Sequence, residues 1–530
     1  MSVNEQPLKR WDPNHPPYIE GKDVPPKEAR PIFRALVEAA RISFADTAIT
    51  KGGVIGEKET QAFWKFLEAA PIIDPEIFNE STQEHIQITG RMAVLVAGRI
   101  NQSGNLRELL NLNEVEIIAL GHDVGRTDSH HRGHSDLVGT QLLKLAGATS
   151  EFLSLFPPDD RWMPEADEAA TVQKITDITP TTAHPTRAVV EIVDSIAKLD
   201  SPGILRRWDT VLADLGKYQE IDPKNIWPSE YKRHHNVLKH LKEVRIYYES
   251  LIAWVEKQMG CSLESVITEF EKTLPKDPIV TFSSAERVLP LHFKTAVFDV
   301  GGVLLFGPAS QSNDQLIAAT VQKLGVEDEE IKQKLTASFE NGVNLLQVGR
   351  VTLEEMEIAL IKEFGKEGDK IGLHELLLAG EYWVDPVVVN AIKYLRGRGI
   401  RVILASNTVG DTWESLVIPH LREAGLGIQN VGPVVNITQA QSRVGEIEAA
   451  GSIPVFASFD LGTRKGGGVA TRPDGLGFFP IISEILGADN KDTISVDDKP
   501  VNSREAEEAG YKKGYDFITA ADFIINLPQI

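Results

Sequence analysis

The chain has 530 residues and a mass of 58.4 kDa, which at roughly 150 residues per domain predicts about three domains or two large ones. Apolar residues make up 42% and charged residues 25%, which is close to average globular usage and argues against wholesale disorder. The net charge of −21 argues against a general coat for extended nucleic acid, and the single cysteine, Cys261, excludes an intramolecular disulfide and a cysteine-based zinc site.

The N-terminal stretch, residues 1–30, is polar and proline-rich, which predicts an extended arm rather than a core element. It lacks the apolar centre of a signal peptide, and no apolar run in the chain approaches about 18 residues. We therefore expect no membrane span and a cytoplasmic location.

Residues 31–272 show a helical pattern. Segments such as PIFRALVEAARISFA and TRAVVEIVDSIAKL place apolar residues at three- and four-residue spacing, as one face of a helix requires. Asn113 is predicted to cap the helix that precedes the His122–Asp123 pair. The segment 273–292 has three prolines and no helical period, so it is predicted to be a linker.

From residue 293 to 530 the pattern changes. Short apolar runs that end in polar residues (TAVFDVGGVL, RVILASNT and DTISVDDKP) alternate with helical stretches. Alternating strands and helices predict an α/β domain in which helices cover both faces of a parallel, Rossmann-like sheet.

Histidines and aspartates form a first candidate site on the helical part. His85 lies near the start of one helix, His122 and Asp123 end another, and Asp194 lies within TRAVVEIVDSIAKL at the edge of its apolar stripe. A carboxylate facing a core needs a cation or hydrogen-bond donors, which a metal ion provides. The alternative is that Asp194 pairs with Lys198, four residues on, at a solvated face.

This H…HD…D arrangement resembles the HD-domain superfamily of metal-dependent phosphohydrolases, which have an all-α fold. The resemblance implies that His85, His122, Asp123 and Asp194 bind a divalent metal (Mn, Fe, Co, Ni, Zn or Mg). The metal activates a water molecule, with Asp123 in the catalytic set. Four further side chains are candidates for a second metal or for phosphate binding, with ordinary solvated roles as the alternative: Arg126, His134, His184 and Lys198.

The second candidate site lies where three predicted strands end. Asp299, Ser406 and the pair Asp497–Asp498 each follow an apolar run, and ligands of open α/β sheets bind at the carboxyl ends of strands. A group of acidic and hydroxyl oxygens needs a cation, and Mg²⁺ prefers such ligands.

This set resembles the haloacid dehalogenase (HAD) superfamily, which consists mostly of phosphatases. The resemblance implies that Asp299 is the nucleophile, that Ser406 binds the transferring phosphoryl group, and that Asp299, Asp497 and Asp498 hold Mg²⁺. It also implies a helical cap over about 310–390 that selects the substrate.

Two positions depart from the HAD pattern. Gly301 stands where the family usually has an aspartate that serves as general acid, as in a subgroup that reads DxGGV. The family's active-site lysine is assigned to Arg472, in TRPDGLGFF, and Lys465, in GTRKGGG, is the rival.

Together these features predict a bifunctional metal-dependent phosphohydrolase that acts on a phosphate ester or nucleotide. The HAD-like domain is a second phosphatase or a degenerate partner. One alternative is an HD-type di-iron oxygenase fused to a HAD-like phosphatase, and another is a regulatory protein that binds a nucleotide or metabolite. The expected partner is a small phosphorylated metabolite or nucleotide, with no extended nucleic acid and no membrane, and homo-oligomerisation stays open.

Overall fold

A computed structural model describes most of the chain. The described residues are 29–75, 78, 80–122, 142–156, 185–197, 199–201, 204–207, 241–274, 291–307, 314–366, 368–378, 382–408, 410–466, 475–487 and 490–530. The chain separates into two compact units, Met1–Leu289 and Pro290–Ile530. Among the described residues, no helix combines the length and apolar character that crossing a membrane requires.

The N-terminal unit is built mainly from helices. Its described helices are α1 (Ala29–Phe44), α2 (Ala48–Lys51), α3 (Glu57–Ile73), α4 (Glu80–Ser103), α5 (Leu112–Gly121), α6 (Ser150–Leu153), α7 (Pro185–Ile196), α8 (Leu241–Met259) and α9 (Leu263–Glu271). Helices α4, α5 and α7 pack against one another, and their apolar side chains are buried. This packing brings the end of α5 close to the start of α4 and the end of α7.

Helix α5 begins two residues earlier than the capping prediction implies. The side chain of Asn111, not that of Asn113, accepts hydrogen bonds from the first backbone N–H groups of the helix, at 3.1 and 3.4 Å. Both asparagines are suitable caps by residue type, so residue type alone does not tell which of them caps the helix. Asn113 instead accepts a hydrogen bond from the Thr60 hydroxyl of α3 at 3.2 Å.

One feature of the N-terminal unit departs from the all-α prediction. Strands β1 (Leu199–Ser201) and β2 (Ile204–Leu205) form a small antiparallel pair just after α7. The pair is anchored where Glu271 of α9 accepts a hydrogen bond from the Leu205 backbone N–H at 2.9 Å.

The C-terminal unit contains a six-stranded parallel sheet, which confirms the predicted α/β class. Its strands are β3 (Thr295–Asp299), β6 (Arg401–Ser406), β7 (Ile428–Asn430), β8 (Ile453–Ala457), β9 (Thr493–Asp497) and β10 (Lys513–Asp516), in the spatial order β10-β9-β3-β6-β8-β7. Every residue of β3 and β9 is buried, as expected for strands covered on both faces.

Helices cover the sheet between these strands. They are α14 (Pro386–Gly397), α15 (Gly410–Thr412), α16 (Ile418–Glu423), α17 (Ile437–Ala449), α18 (Ser458–Leu461), α19 (Phe478–Leu486), α20 (Pro500–Glu508) and α21 (Ala520–Asn526), with a π-helical turn at Trp413–Val417. Strand β3 is central, because the chain runs from it to β6 on one side and later returns to β9 on the other. A point where strand order reverses in this way is the usual ligand site of an open parallel sheet.

A helical insertion separates β3 from β6. A short antiparallel pair, β4 (Leu305–Phe306) with β5 (Trp383–Val384), forms its base. Between these strands lie α10 (Asp314–Leu324), α11 (Glu329–Gln347), α12 (Leu353–Phe364) and α13 (Leu373–Leu378), which we call the cap. The cap has its own apolar cluster, centred on residues such as Leu335 and Phe339.

Candidate functional site

The carboxyl ends of β3, β6 and β9 bring three predicted side chains to one edge of the sheet. Asp299 is the last residue of β3 and Asp497 is the last residue of β9, which pairs with β3 in parallel. On the other side Asp299 lies opposite Ala405, so Ser406 ends β6 one residue further on. These three side chains are buried at the edge of the sheet and do not lie on an open surface.

Lys465 joins the two strand-end carboxylates. Its Nζ atom lies 2.5 Å from Oδ1 of Asp299 and 2.8 Å from Oδ2 of Asp497, and it donates to the Ala405 carbonyl oxygen at 3.2 Å. The lysine is 1% exposed. A fully buried cation between two carboxylates is expensive to assemble, so it marks a candidate functional site.

The loop that carries Lys465 is held in place from the neighbouring strand end. The Lys465 backbone N–H donates to Oδ1 of Asn407 at 2.9 Å, and Nδ2 of Asn407 donates to the Lys465 carbonyl oxygen at 3.3 Å. The next backbone N–H, that of Gly466, donates to Glu505 on α20. These contacts fix the backbone, and therefore the direction of the lysine side chain.

The two neighbouring aspartates have different environments. Oδ1 of Asp497 accepts hydrogen bonds from the Lys499 backbone at 3.0 Å and from Asn502 at 2.8 Å. Oδ1 of Asp498 is buried and has no hydrogen-bond donor among the described residues. Gly302 has a φ of 83°, and a Cβ atom there would overlap the Asp498 carboxylate, so only glycine allows this approach.

These carboxylates fit a divalent cation. One oxygen from each of Asp299, Asp497 and Asp498 lies within 4.8 Å of the others. When all four groups are ionised, three carboxylates and one lysine carry a net charge of −2. The Asp498 oxygen that has no donor among the described residues is available to a cation. Mg²⁺, which takes oxygen ligands and keeps part of its water shell, suits this donor set. We call Asp299, Lys465, Asp497 and Asp498 the carboxylate–lysine cluster.

Charge and burial act in opposite directions on the pKa values of this cluster. Burial raises the pKa of Asp299 to about 7, with help from Asp497 and Asp498 and against the opposing effect of Lys465. Burial alone lowers the pKa of Lys465, but the facing carboxylates outweigh it and leave that pKa above its ordinary value. Lys465 therefore remains a cation, and added positive charge favours ionised Asp299.

Lys465, the alternative to Arg472 in the sequence analysis, lies between Asp299 and Asp497. Arg472 itself lies outside the described residues. The proline and aspartate after Arg472 resemble the family context, whereas Lys465 follows Arg464 and precedes three glycines. The sequence shows that Lys465 and Arg472 both lie between β8 and β9. It does not show which of the two side chains points to the strand ends.

A second group of side chains converges in the N-terminal unit. Nε2 of His85 and Nε2 of His122 each lie 2.9 Å from Oδ1 of Asp194, and the two Nε2 atoms lie 3.2 Å apart. Both histidines are buried and Asp194 is half-buried. We call these three residues the histidine–aspartate cluster.

Backbone contacts orient both imidazole rings of this cluster. Nδ1 of His85 donates to the Ala197 carbonyl oxygen at 2.9 Å, and Nδ1 of His122 donates to the Ala119 carbonyl oxygen at 2.5 Å. A carbonyl only accepts, so Nδ1 carries the hydrogen in each ring and a neutral ring directs its Nε2 lone pair at the carboxylate. Metal-binding histidines are oriented in this way by their second nitrogen.

The pKa of Asp194 responds to the same contacts. Burial favours the neutral acid, but when Nε2 carries a proton instead of facing a metal, the charge and hydrogen bonds of His122 and His85 outweigh burial and hold the pKa of that carboxyl well below its usual range. The distances between the three donor atoms, 2.9 to 3.2 Å, match the spacing of about 3.0 Å between adjacent ligands of an octahedral ion bound at about 2.1 Å. The cluster therefore fits a divalent metal.

Several predicted residues lie outside the part of the chain that the structure describes. They are Asp123, Arg126, His134, His184, Lys198 and Arg472.

Comparisons with known proteins give a weak structural likeness. No protein-family model matches the chain, and no curated protein matches it. A magnesium complex of a HAD family enzyme from Bacteroides thetaiotaomicron is 17% identical with a TM-score of 0.28, over 42% of this chain and 91% of that one. The same enzyme, wild type with magnesium and inorganic phosphate, is 17% identical with a TM-score of 0.26, over 41% and 91%. At such TM-scores, neither the fold nor the function of this chain follows from the likeness.

Proposed function

We propose that the C-terminal unit is a magnesium-dependent phosphatase in which Asp299 is the nucleophile. The observation that carries this proposal is the buried bridge of Lys465 between Asp299 and Asp497, beside an Asp498 oxygen with no described donor. The bridge fixes one carboxylate at a strand end, and the neighbouring oxygens form a cation site. This is the arrangement that attack on a phosphoryl group requires.

The first step transfers the phosphoryl group to the protein. The described hydrogen bonds to Asp299 reach Oδ1, from Lys465 and from the Val300 backbone N–H at 2.8 Å, and they orient the carboxylate. An oxygen of Asp299 attacks phosphorus, and the bond from phosphorus to the substrate alcohol breaks. Ser406 is placed at the adjacent strand end to donate a hydrogen bond to the phosphoryl oxygens. Asp299, Asp497 and Asp498 would hold Mg²⁺, which would supply charge neutralisation.

The second step restores the carboxylate. Water attacks phosphorus of the aspartyl-phosphate, the bond from phosphorus to the Asp299 oxygen breaks, and inorganic phosphate leaves. Gly301 offers no proton, so the alcohol oxygen released in the first step takes its proton from water. The rate therefore depends strongly on how stable the departing alkoxide is.

Phosphate release from sugar phosphates and nucleotides, measured with purified full-length protein in Mg²⁺, tests this proposal. Asp299→Asn should lower the rate by more than ~10³-fold, and EDTA should abolish it until Mg²⁺ is restored. Asp492→Asn is the matched control, because Asp492 lies at a surface ion pair with Lys294. If Asp299→Asn keeps the activity of the control, Asp299 is not the nucleophile.

A second candidate function rests on the histidine–aspartate cluster. Three donor atoms facing one another within 3.2 Å are repulsive unless a proton or metal lies between them. We propose that His85, His122 and Asp194 would hold a divalent metal, and that this site hydrolyses a phosphate ester of a small metabolite or nucleotide by attack of water. When bound, the metal lowers the pKa of that water.

Elemental analysis of the as-isolated protein tests the second candidate. His122→Ala should remove metal, whereas His374→Ala, at an exposed histidine, should not. His122→Ala should also leave the Asp299-dependent phosphatase intact. Two irons per chain with O₂ consumption would indicate an oxygenase instead of a hydrolase. Unchanged metal content in His122→Ala would show that this cluster does not bind the metal.

A further inference from the structure

Arg464 lies at the seam between the cap and the sheet, next to Lys465. It belongs to the loop after α18, at the carboxyl end of β8. Its Nη1 donates to Oδ1 of Asn344 on the cap helix α11. Gly349, just after α11, lies so close to the Phe459 carbonyl oxygen that a Cβ atom would be 3.0 Å from it. The cap and the active-site loop therefore meet at Arg464.

The positive charge of Arg464 has no described counter-charge in an ion pair. The side chain is half-buried and makes no ion pair with the acidic residues that the structure describes. Its Nε is buried without a hydrogen-bond acceptor among those residues. Burial lowers the pKa of Arg464, and Glu505, the acid that opposes this effect, already accepts the Gly466 N–H.

A buried guanidinium donor without an acceptor costs free energy, and a stable fold gains nothing from it. An anion placed against Nε and the guanidinium would satisfy both the donor and the charge. In the proposed phosphatase the transferring phosphoryl group is bound beside Asp299 and Lys465. An anion that meets Arg464 at the cap would then belong to the other part of the substrate, its alcohol portion.

We infer that Arg464 is a specificity-determining residue that binds a second anionic group of the substrate. The substrate class is a phosphomonoester whose alcohol portion carries a carboxylate or a second phosphate. Lys465 reaches Asp299 at the sheet edge and Arg464 reaches Asn344 on the cap, so the two neighbouring cations face different sides of the site. This inference rests on the proposed phosphatase function of Asp299.

A simpler role for Arg464 is to hold the cap against the Lys465 loop through Asn344. The two roles differ in what they predict. A latch affects every substrate alike, through the placement of Lys465, whereas an anion receptor affects only substrates that carry the second anion.

Matched substrates separate these roles. Alkyl phosphates of three to six carbons that end in a carboxylate or phosphate are compared with the same alkyl phosphates that end in a hydroxyl. The leaving groups are primary alcohols in both sets, so the chemical step is matched. For the anion-tipped set, Arg464→Gln should lower kcat/KM by about 30-fold, as expected for losing a charged hydrogen bond, and for the hydroxyl-tipped set by less than about threefold.

Two further variants test whether the effect comes from anion binding or from the contact with the cap. Arg464→Lys keeps the charge without the planar fork and should retain part of the preference, provided that both variants melt like the wild type. Asn344→Ala removes only the cap contact and should change the preference less than Arg464→Gln does. A parallel loss for both substrate sets, or a wild type that prefers neither set, overturns the inference.

A binding measurement keeps the inference separate from the phosphatase proposal. Alkyl phosphonates with a terminal carboxylate are not hydrolysed, and calorimetry with Mg²⁺ reports their affinity for wild type and Arg464→Gln. A weakening of about 30-fold in the variant supports the receptor role even if no turnover is found. Equal affinity refutes it even if Asp299 proves to be the nucleophile.

Discussion

Replacing Lys465 with Met should strongly destabilise the sheet edge in the absence of metal. Met keeps much of the length and apolar stem of the lysine but removes its charge. In the wild type the lysine, 1% exposed, lies 2.5 Å from Asp299 and 2.8 Å from Asp497. The variant leaves two buried carboxylates facing each other without a cation.

The expected loss is about 3–5 kcal/mol, the cost of removing one partner from a buried ion pair. Lys294→Met is the matched control. Lys294 also lies 2.5 Å from a carboxylate, that of Asp492, but its side chain is 81% exposed. Solvent screening limits such a pair to roughly 0–1 kcal/mol. The two pairs share residue type and the 2.5 Å distance, so the contrast reports the burial of Lys465 together with its second carboxylate, Asp497.

Hydrogen exchange in EDTA measures this loss locally. The full chain has two units, so a single unfolding transition is not assured, whereas the opening free energy of β3 is defined by exchange of its own amides. Adding Asp299→Asn to Lys465→Met should recover at least half of the loss, because one uncompensated charge is removed. If Lys465→Met and Lys294→Met change β3 exchange equally, the buried bridge does not stabilise the edge.

Three more predictions concern the same site. In EDTA, the opening free energy of β3 should fall as pH rises between about 4 and 7, because burial raises the pKa of Asp299 above its unfolded value and folding then binds a proton. Hydrogen exchange of β3 in Asp299→Asn should lack this slope. Gly302→Ala should weaken Mg²⁺ binding by at least tenfold, because the φ of 83° and the overlap with Asp498 both oppose a side chain; calorimetry with wild-type affinity would contradict this. Gly301→Asp should raise kcat for alkyl phosphates more than for aryl phosphates, since a general acid helps poor leaving groups most; equal effects would argue against a missing acid.

Local sequence determined the strands and the residues that end them. Buried parallel strands require continuous apolar runs, so TAVFD and TISVD identify both the strands and the aspartates at their ends. The parallel order then brings Asp299 and Asp497 together, because carboxyl ends of parallel strands meet at one edge. Helical periodicity likewise placed His122 at the end of a helix and Asp194 within one.

Tertiary structure decided the contacts between distant segments. Lys465 reaches Asp299 because Asn407, at the end of another strand, forms two hydrogen bonds with the Lys465 backbone. No local sequence pattern predicts these hydrogen bonds. His85 and Asp194 are 109 residues apart, and only the packing of α4 against α7 brings them to 2.9 Å. Periodicity reports which face of a segment is buried. Side-chain direction across a loop depends on hydrogen bonds from other segments, so it is settled only when the chain has folded.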